Sequence, residues 1–347
     1  DVNDFYFALS SVAGNELHEY SDTLVFLDEI QHYPQYLTLL KFFRQDKRYR
    51  FIASGSLLGL TLKKTKSIPV GSVIRKRMYQ LDFEEWLIAN GYGEEALRRL
   101  REAYDQKESL SKEQHEYVLS LFKRYLLVGG LPDVVNEYLK THNIAKVREV
   151  QNAIMDLYKQ DAVQYEEAAE KKLYIQRIYD MIPSQMENKK KRVVVKDIQE
   201  KKGDRFDNYK EEFDYLVFAG VALAVHAISN PRYPLSESLQ KNLLKLYLND
   251  VGLLTSVLYG LSIKAVMETE KSVNLGAVYE SAVAQELAAH GHKLFYYDNR
   301  SKGEVDYMID DTEGCRVMPV EVKSGKDYTV HSALTNFVTN PDYKIED

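Results

Sequence analysis

The sequence predicts an α/β chain of several domains, and three observations carry that expectation. Two short apolar runs, residues 24–27 and 49–53, flank a helix-patterned segment, the order of two parallel strands joined by a crossover helix. Helical periodicity then runs almost unbroken over residues 93–165. Finally a helical stretch, residues 275–291, precedes three strand-like runs at 293–297, 304–309 and 317–322. A chain of 347 residues is long enough for more than one hydrophobic core.

The first run, T-L-V-F-L-D-E-I-Q, ends in Asp28 and Glu29. Continuous apolar runs mark strands buried on both faces, and open α/β sheets bind ligands beyond the carboxyl ends of such strands. In a phosphate-loop NTPase the first acid of such a pair holds Mg²⁺ beside the nucleotide phosphates. The second can orient or deprotonate the attacking water. The plainer alternative is a strand running into a solvated acidic turn. Pro34 opens a helix in which Leu37, Leu40 and Phe43 share one face. The second strand ends at Ser54-Gly55-Ser56, so hydroxyls are expected beside the acids; a Ser-Gly helix cap is the alternative.

L-V-F-L-D-E-I-Q-H-Y-P followed by F-I-A-S-G-S-L-L-G resembles the Walker B and sensor segments of a bacterial and archaeal AAA-type ATPase family. Members of that family carry a C-terminal domain of unknown function with a restriction-endonuclease-like core. The resemblance implies ATP and Mg²⁺ as cofactors, with Asp28, Glu29, Ser54 and Ser56 at the nucleotide site. It also implies homo-oligomers formed through the ATPase core. No G-x-x-x-x-G-K-[ST] loop occurs in the chain, and the family places that loop upstream of its first residue. The expectation is therefore an N-terminally truncated ATPase. The resemblance also suggests the divisions: a partial ATPase core over 1–90, a helical lid over 91–165, a winged-helix-like module over 166–240 and a PD-(D/E)xK nuclease-like domain over 241–347.

Within these divisions, Asp82 with Glu85 three residues on reads as a capping box, and Trp86 as core. Residues 125–135, with Gly129-Gly130-Leu131-Pro132 at their centre, read as a tight helical corner. Residues 193–200 read as a short strand or helix. Asp250 reads as a helix cap. Lys189, Lys190, Lys191 and Arg192 form a charge run suited to nucleic-acid phosphates, with a solvated loop as the alternative.

The C-terminal helix carries an apolar stripe of Val278, Ala282, Val283 and Leu287, with Glu280 off it. Asp306 lies in E-V-D-Y, and Glu321-Val322-Lys323 follows. Strand alternation sets Glu321 and Lys323 on one face, and Asp306 on the neighbouring strand can share it. Carboxylates from Glu280, Asp306 and Glu321 would make an oxygen-rich Mg²⁺ site, with Lys323 stabilising charge on a phosphoryl group. Glu304 shares a face with Asp306 and is its alternative. A rival reading keeps the fold but makes it a non-catalytic regulator that binds nucleic acid or protein.

A net charge of −6 excludes a wholesale basic nucleic-acid binder, though not a local patch. Cys315 is the single cysteine, so no internal disulfide forms and a reducing cytoplasm fits. No apolar run reaches membrane-spanning length. The 26 tyrosines are read as filling of cores and interfaces.

Overall fold

The computed structural model describes residues 1–14, 23–55, 71–164, 166, 168–188, 191–199, 205–268, 275–299, 303–324, 331–341 and 343. Among these the chain separates into two compact units. One comprises Asp1–Met78 with Phe218–Gly220, the other Tyr79–Val217 with Val221–Asp347. The second unit thus takes up residues 79–90. Helices combine with a parallel strand pair and a mixed sheet, so the chain is α/β.

The first unit begins with α1 (Val2–Ala13), closed at its start by an Asp1–Asp4 capping box. Strand β1 (Leu24–Leu27), helix α2 (Pro34–Asp46) and strand β2 (Arg50–Ala53) follow, with Pro34 at the first turn of α2 as its fixed φ favours. The strands pair in parallel, Leu24 opposite Arg50 and Leu27 opposite Ala53. Phe43 and Phe51 stack at 4.4 Å between ring centroids, and Phe5 and Tyr6 both pack tilted against Phe43. Ile30 and Leu37 form a second small cluster with Leu27, Leu40 and Ala53. The apolar run predicts a strand covered on both faces; instead Val25 is buried while Leu24, Phe26 and Ile52 are exposed. The described sheet of this unit has only two strands.

In the second unit the helices are α3 (Phe83–Ala89), α4 (Glu94–Asp105), α5 (Lys112–Val128), α6 (Pro132–Thr141), α7 (Ile144–Gln164) and α8 (Ala169–Glu187). The Asp82–Glu85 capping box starts α3, and Trp86 is fully buried against Tyr125 and Tyr138, as the sequence predicts. The Gly-Gly corner ends α5. Gly129 takes φ +77°, and a side chain at Gly130 would collide with the Leu81 carbonyl. Residues 195–197 form a 3-10 turn, and α9 (Lys210–Phe218) follows.

Five strands complete this unit: β3 (Ala222–Ile228), β4 (Leu239–Leu248), β5 (Phe295–Asn299), β6 (Gly303–Asp311) and β7 (Arg316–Val320). Their order is β4-β3-β5-β6-β7, with β3 and β5 parallel and the other neighbours antiparallel. Strand β3, predicted with the preceding module, therefore lies between β4 and β5. Between β4 and β5 the chain forms α10 (Val251–Tyr259), capped by Asp250, then α11 (Ile263–Met267) and α12 (Gly276–Ala289). A last helix, α13 (Ser332–Val338), sets Phe337 against Tyr297 and Tyr343 in a core that includes Val305 and Met308.

Candidate functional site

In the first unit, Asp28 and Glu29 follow β1 directly, and Ser54 follows β2. The Ser54 amide donates to the Leu27 carbonyl at 2.9 Å and the Ile30 amide to the Ser54 carbonyl at 3.0 Å, locking the two tips side by side. Ser54 Oγ donates to Asp28 Oδ1, which also accepts the Glu29 amide at 3.1 Å. Glu29 stands in the left-handed region, φ 51°, and receives a hydrogen bond from Gln31 Nε2. Both acids are exposed, and among the described residues the hydrogen bonds they accept come from uncharged donors. Ser56 lies outside the described residues.

The second unit builds its site on β4, α12, β6 and the segment after β7. Phe295 pairs with Met308 and Tyr297 with Val305, so Asp306 and Tyr307 together oppose Tyr296. Such a bulge re-aims side chains. Val305 and Met308, three residues apart, both join the core with Phe337. The Tyr307 hydroxyl donates to the Glu280 carbonyl at 2.8 Å. Tyr247 reaches a Glu280 carboxylate oxygen at 3.5 Å.

Glu280, which lies off the predicted apolar stripe, is buried all the same. It is buried together with Ala277, Val278, Ser281, Ala282 and Ala284, because α12 is covered on most of its circumference. Its charge is met by Lys191, which ion-pairs with Oε1 from a backbone at φ 48°. Burial, and then the Asp306 charge, push the Glu280 carboxyl up, while Lys191 and Lys245 pull it back.

The strand predicted over 317–322 ends at Val320, so Glu321 and Lys323 lie in the chain beyond it. They still share a side, with Lys323 Nζ 2.6 Å from Glu321 Oε1. The Val322 amide donates to Asp306 Oδ2 at 2.9 Å. Burial pushes the Glu321 carboxyl up against the pull of Lys323, and its Oε2 is buried with no hydrogen-bond partner. Lys323 is held above its ordinary range by Glu321 first, with contributions from Asp306 and Glu280. Asp306 and Lys323 therefore each interact with both Glu280 and Glu321, although the three carboxylates do not all approach within 4.8 Å. Glu304 is taken by Lys245, whose buried ammonium lies 2.8 Å away and 4.5 Å from the Tyr296 ring centre.

The basic run faces inward where it is described. Lys191 pairs with Glu280, and Arg192 pairs with Asp298. Lys189 and Lys190 lie outside the described residues. Sequence reasoning missed Lys191 and Lys245 as neighbours of this cluster, since nothing local in the chain joins them to Glu280 and Glu304. Apolar residues flanking Lys245 within β4 were the one available signal that its ammonium needs a buried partner.

Comparison with known families divides the chain in three. Residues 3–87 match the AAA domain family. Residues 119–264 match a domain of unknown function (DUF8612), and residues 275–345 match another (DUF4143). The chain carries an AAA domain at its N-terminal end and a DUF4143 domain at its C-terminal end. An AAA domain implies nucleotide binding, typically with Mg²⁺. No curated protein and no solved structure matches the chain. Among the described residues no helix is long and apolar enough to cross a membrane.

Proposed function

We propose that the chain belongs to an ATP-hydrolysing AAA-type protein whose last domain carries a nuclease-like cluster that contacts nucleic acid. The observation that carries the first half is the join between Asp28 and Ser54 across two parallel strand tips, with Glu29 beside them. In this reading Asp28 holds Mg²⁺ and Glu29 orients the attacking water, with Ser54 and Ser56 at the adjoining tip. Subunits associate through the ATPase core. In this reading residues 91–165 form the helical lid, and the sheet that carries the nuclease-like cluster takes in β3 and β4 as well as β5, β6 and β7.

Glu29→Gln in the intact protein should retain bound ATP and lose turnover by about 100-fold or more, the scale of a missing general base. Unchanged turnover overturns this half.

The nuclease-like half is supported by Asp306, Glu321 and Lys323 meeting beside Glu280. The orphaned Glu321 Oε2 is an atom a divalent cation would satisfy. Asp306 and Glu321 would hold Mg²⁺, which would polarise a phosphoryl oxygen, while Lys323 neutralises charge there. One observation favours the non-catalytic reading: Glu280, Glu304 and Glu321 already pair with Lys191, Lys245 and Lys323. A Mn²⁺ titration with labelled DNA and RNA, wild type beside Asp306→Ala/Glu321→Ala, separates the two. Binding and cleavage that the double variant abolishes support the nuclease; absent binding, or binding without cleavage, leaves the regulator.

A further inference from the structure

Away from both sites, Asp82, Glu286 and His290 gather where the start of α3 meets the last turn of α12. Each offers one ligand atom, and those atoms lie within 4.8 Å of one another. We propose that these three residues bind a divalent transition metal of the zinc class. Glu286 and His290 are four residues apart on one helix and so share a face. Asp82 arrives from a segment two hundred residues earlier, within the stretch that matches the AAA family.

The site is built, because each ligand has one atom fixed by a bond outside the ion's position and one atom left over. Asp82 Oδ1 accepts the Glu85 amide at 2.8 Å as the cap of α3. Glu286 Oε1 accepts the Phe83 amide at 2.9 Å and lies 3.1 Å from the Tyr125 hydroxyl, whose one proton it shares with the Leu81 carbonyl at 3.0 Å. That hydroxyl is itself fixed by the buried Gln285, whose Nε2 donates to it at 2.8 Å. His290 Nδ1 lies 2.8 Å from the Glu286 carbonyl, which sets the proton on Nδ1 and leaves the Nε2 lone pair bare. Supports of this kind orient ligands in protein metal sites.

What remains are Asp82 Oδ2, Glu286 Oε2 and His290 Nε2. His290 Nε2 is 3.7 Å from Asp82 Oδ2, longer than a hydrogen bond. Tetrahedral zinc, with bonds of about 2.0–2.1 Å, sets neighbouring ligand atoms about 3.3 Å apart, within reach of a small turn of the His290 ring. No lysine or arginine ion-pairs with Asp82 or Glu286 among the described residues, in contrast to the lysine-paired cluster on the sheet. The His290 side chain is 60% exposed, giving a path of entry and room for water as fourth ligand. One nitrogen and two carboxylates favour Zn²⁺, Co²⁺ or Ni²⁺ over Mg²⁺. A bound ion would tie the AAA-matching segment to the C-terminal domain's first helix.

The test is calorimetric titration of the chelator-treated protein with Zn²⁺ and separately with Mg²⁺, alongside thermal unfolding. One equivalent of Zn²⁺ should bind and raise the unfolding midpoint, with Mg²⁺ far weaker. His290→Ala removes an exposed ligand, and Glu286→Gln keeps an acceptor for Phe83 and Tyr125, so both variants should fold. Each should weaken Zn²⁺ binding at least tenfold and lose the midpoint shift. Absent Zn²⁺ binding, or binding unchanged in both variants, overturns the site.

Discussion

The glutamates and aspartate that the sequence singles out at the two candidate sites are, with the exception of Asp306, met in opposite ways. At the strand tips of the first unit, Asp28 and Glu29 are exposed and accept hydrogen bonds from a hydroxyl, an amide and a side-chain carboxamide. In the cluster around the sheet of the second unit, Glu280, Glu304 and Glu321 each face a lysine. Neutral donors hold a carboxylate in place while leaving its charge to attract a cation from outside. A lysine supplies that cation from within, so an incoming metal must first displace an ammonium. The first arrangement suits a site completed by Mg²⁺ and nucleotide; the second suits one that is electrostatically closed until something opens it.

The contrast breaks most visibly at Lys245. Its ammonium is 1% exposed, and Glu304 is its ion-pair partner. Lys245→Ala should cost about 3 kcal/mol in urea unfolding, because it strands a carboxylate and opens a cavity. A loss below about 1 kcal/mol would mean that Glu304 reaches water and the pairing holds little together.

Asp250 is the intermediate case, a buried acid held by neutral donors. It accepts the Gly130 amide at 2.7 Å and the Leu253 amide at 3.1 Å, and burial pushes its carboxyl up to about 6 despite those bonds. Its ordinary value is 3.8. Between those values the folded chain holds more protons than the unfolded one, so this group's contribution to stability falls as pH rises through about 4 to 6. Asp250→Asn does not titrate. The wild type's unfolding free energy relative to it should therefore shrink by up to about 3 kcal/mol from pH 4 to pH 7. A difference that grows with pH would show that the amides outweigh burial.

The smallest effect is expected at Ser54. Ser54→Ala removes one hydrogen bond to an exposed carboxylate and should cost about 1 kcal/mol or less in stability. A larger loss would place the strand tips among the elements that hold the first unit together.

Much of this was legible in the chain. The caps at Asp82 and Asp250, the opening of α2 at Pro34 and the paired tips at Asp28 and Ser54 all follow from local residue chemistry. What stayed hidden was set by tertiary structure. Strand alternation is blind to the bulge that places Asp306 beside Tyr307. Glu280 was expected to face a metal ion, and nothing in its helix's apolar stripe announces Lys191, 89 residues away, as its partner. The basic run suggested phosphates, whereas its described members meet Glu280 and Asp298. Glu286 and His290 show their shared face in the sequence; Asp82, the third member, emerges only from the fold.

The glycine corner after α5 has a mechanical consequence. The Leu81 amide donates to the Gly130 carbonyl at 2.9 Å, and Gly130 in turn donates to Asp250. Backbone therefore lies on backbone at this crossing, with no side chain between residues 81 and 130 to act as a spring. Side-chain contacts absorb small displacements by changing rotamer; the direct bond between residues 81 and 130 has no rotamer to change, and the Tyr125 hydroxyl on the Leu81 carbonyl and the Asp250 carboxylate on the Gly130 amide brace it from either end.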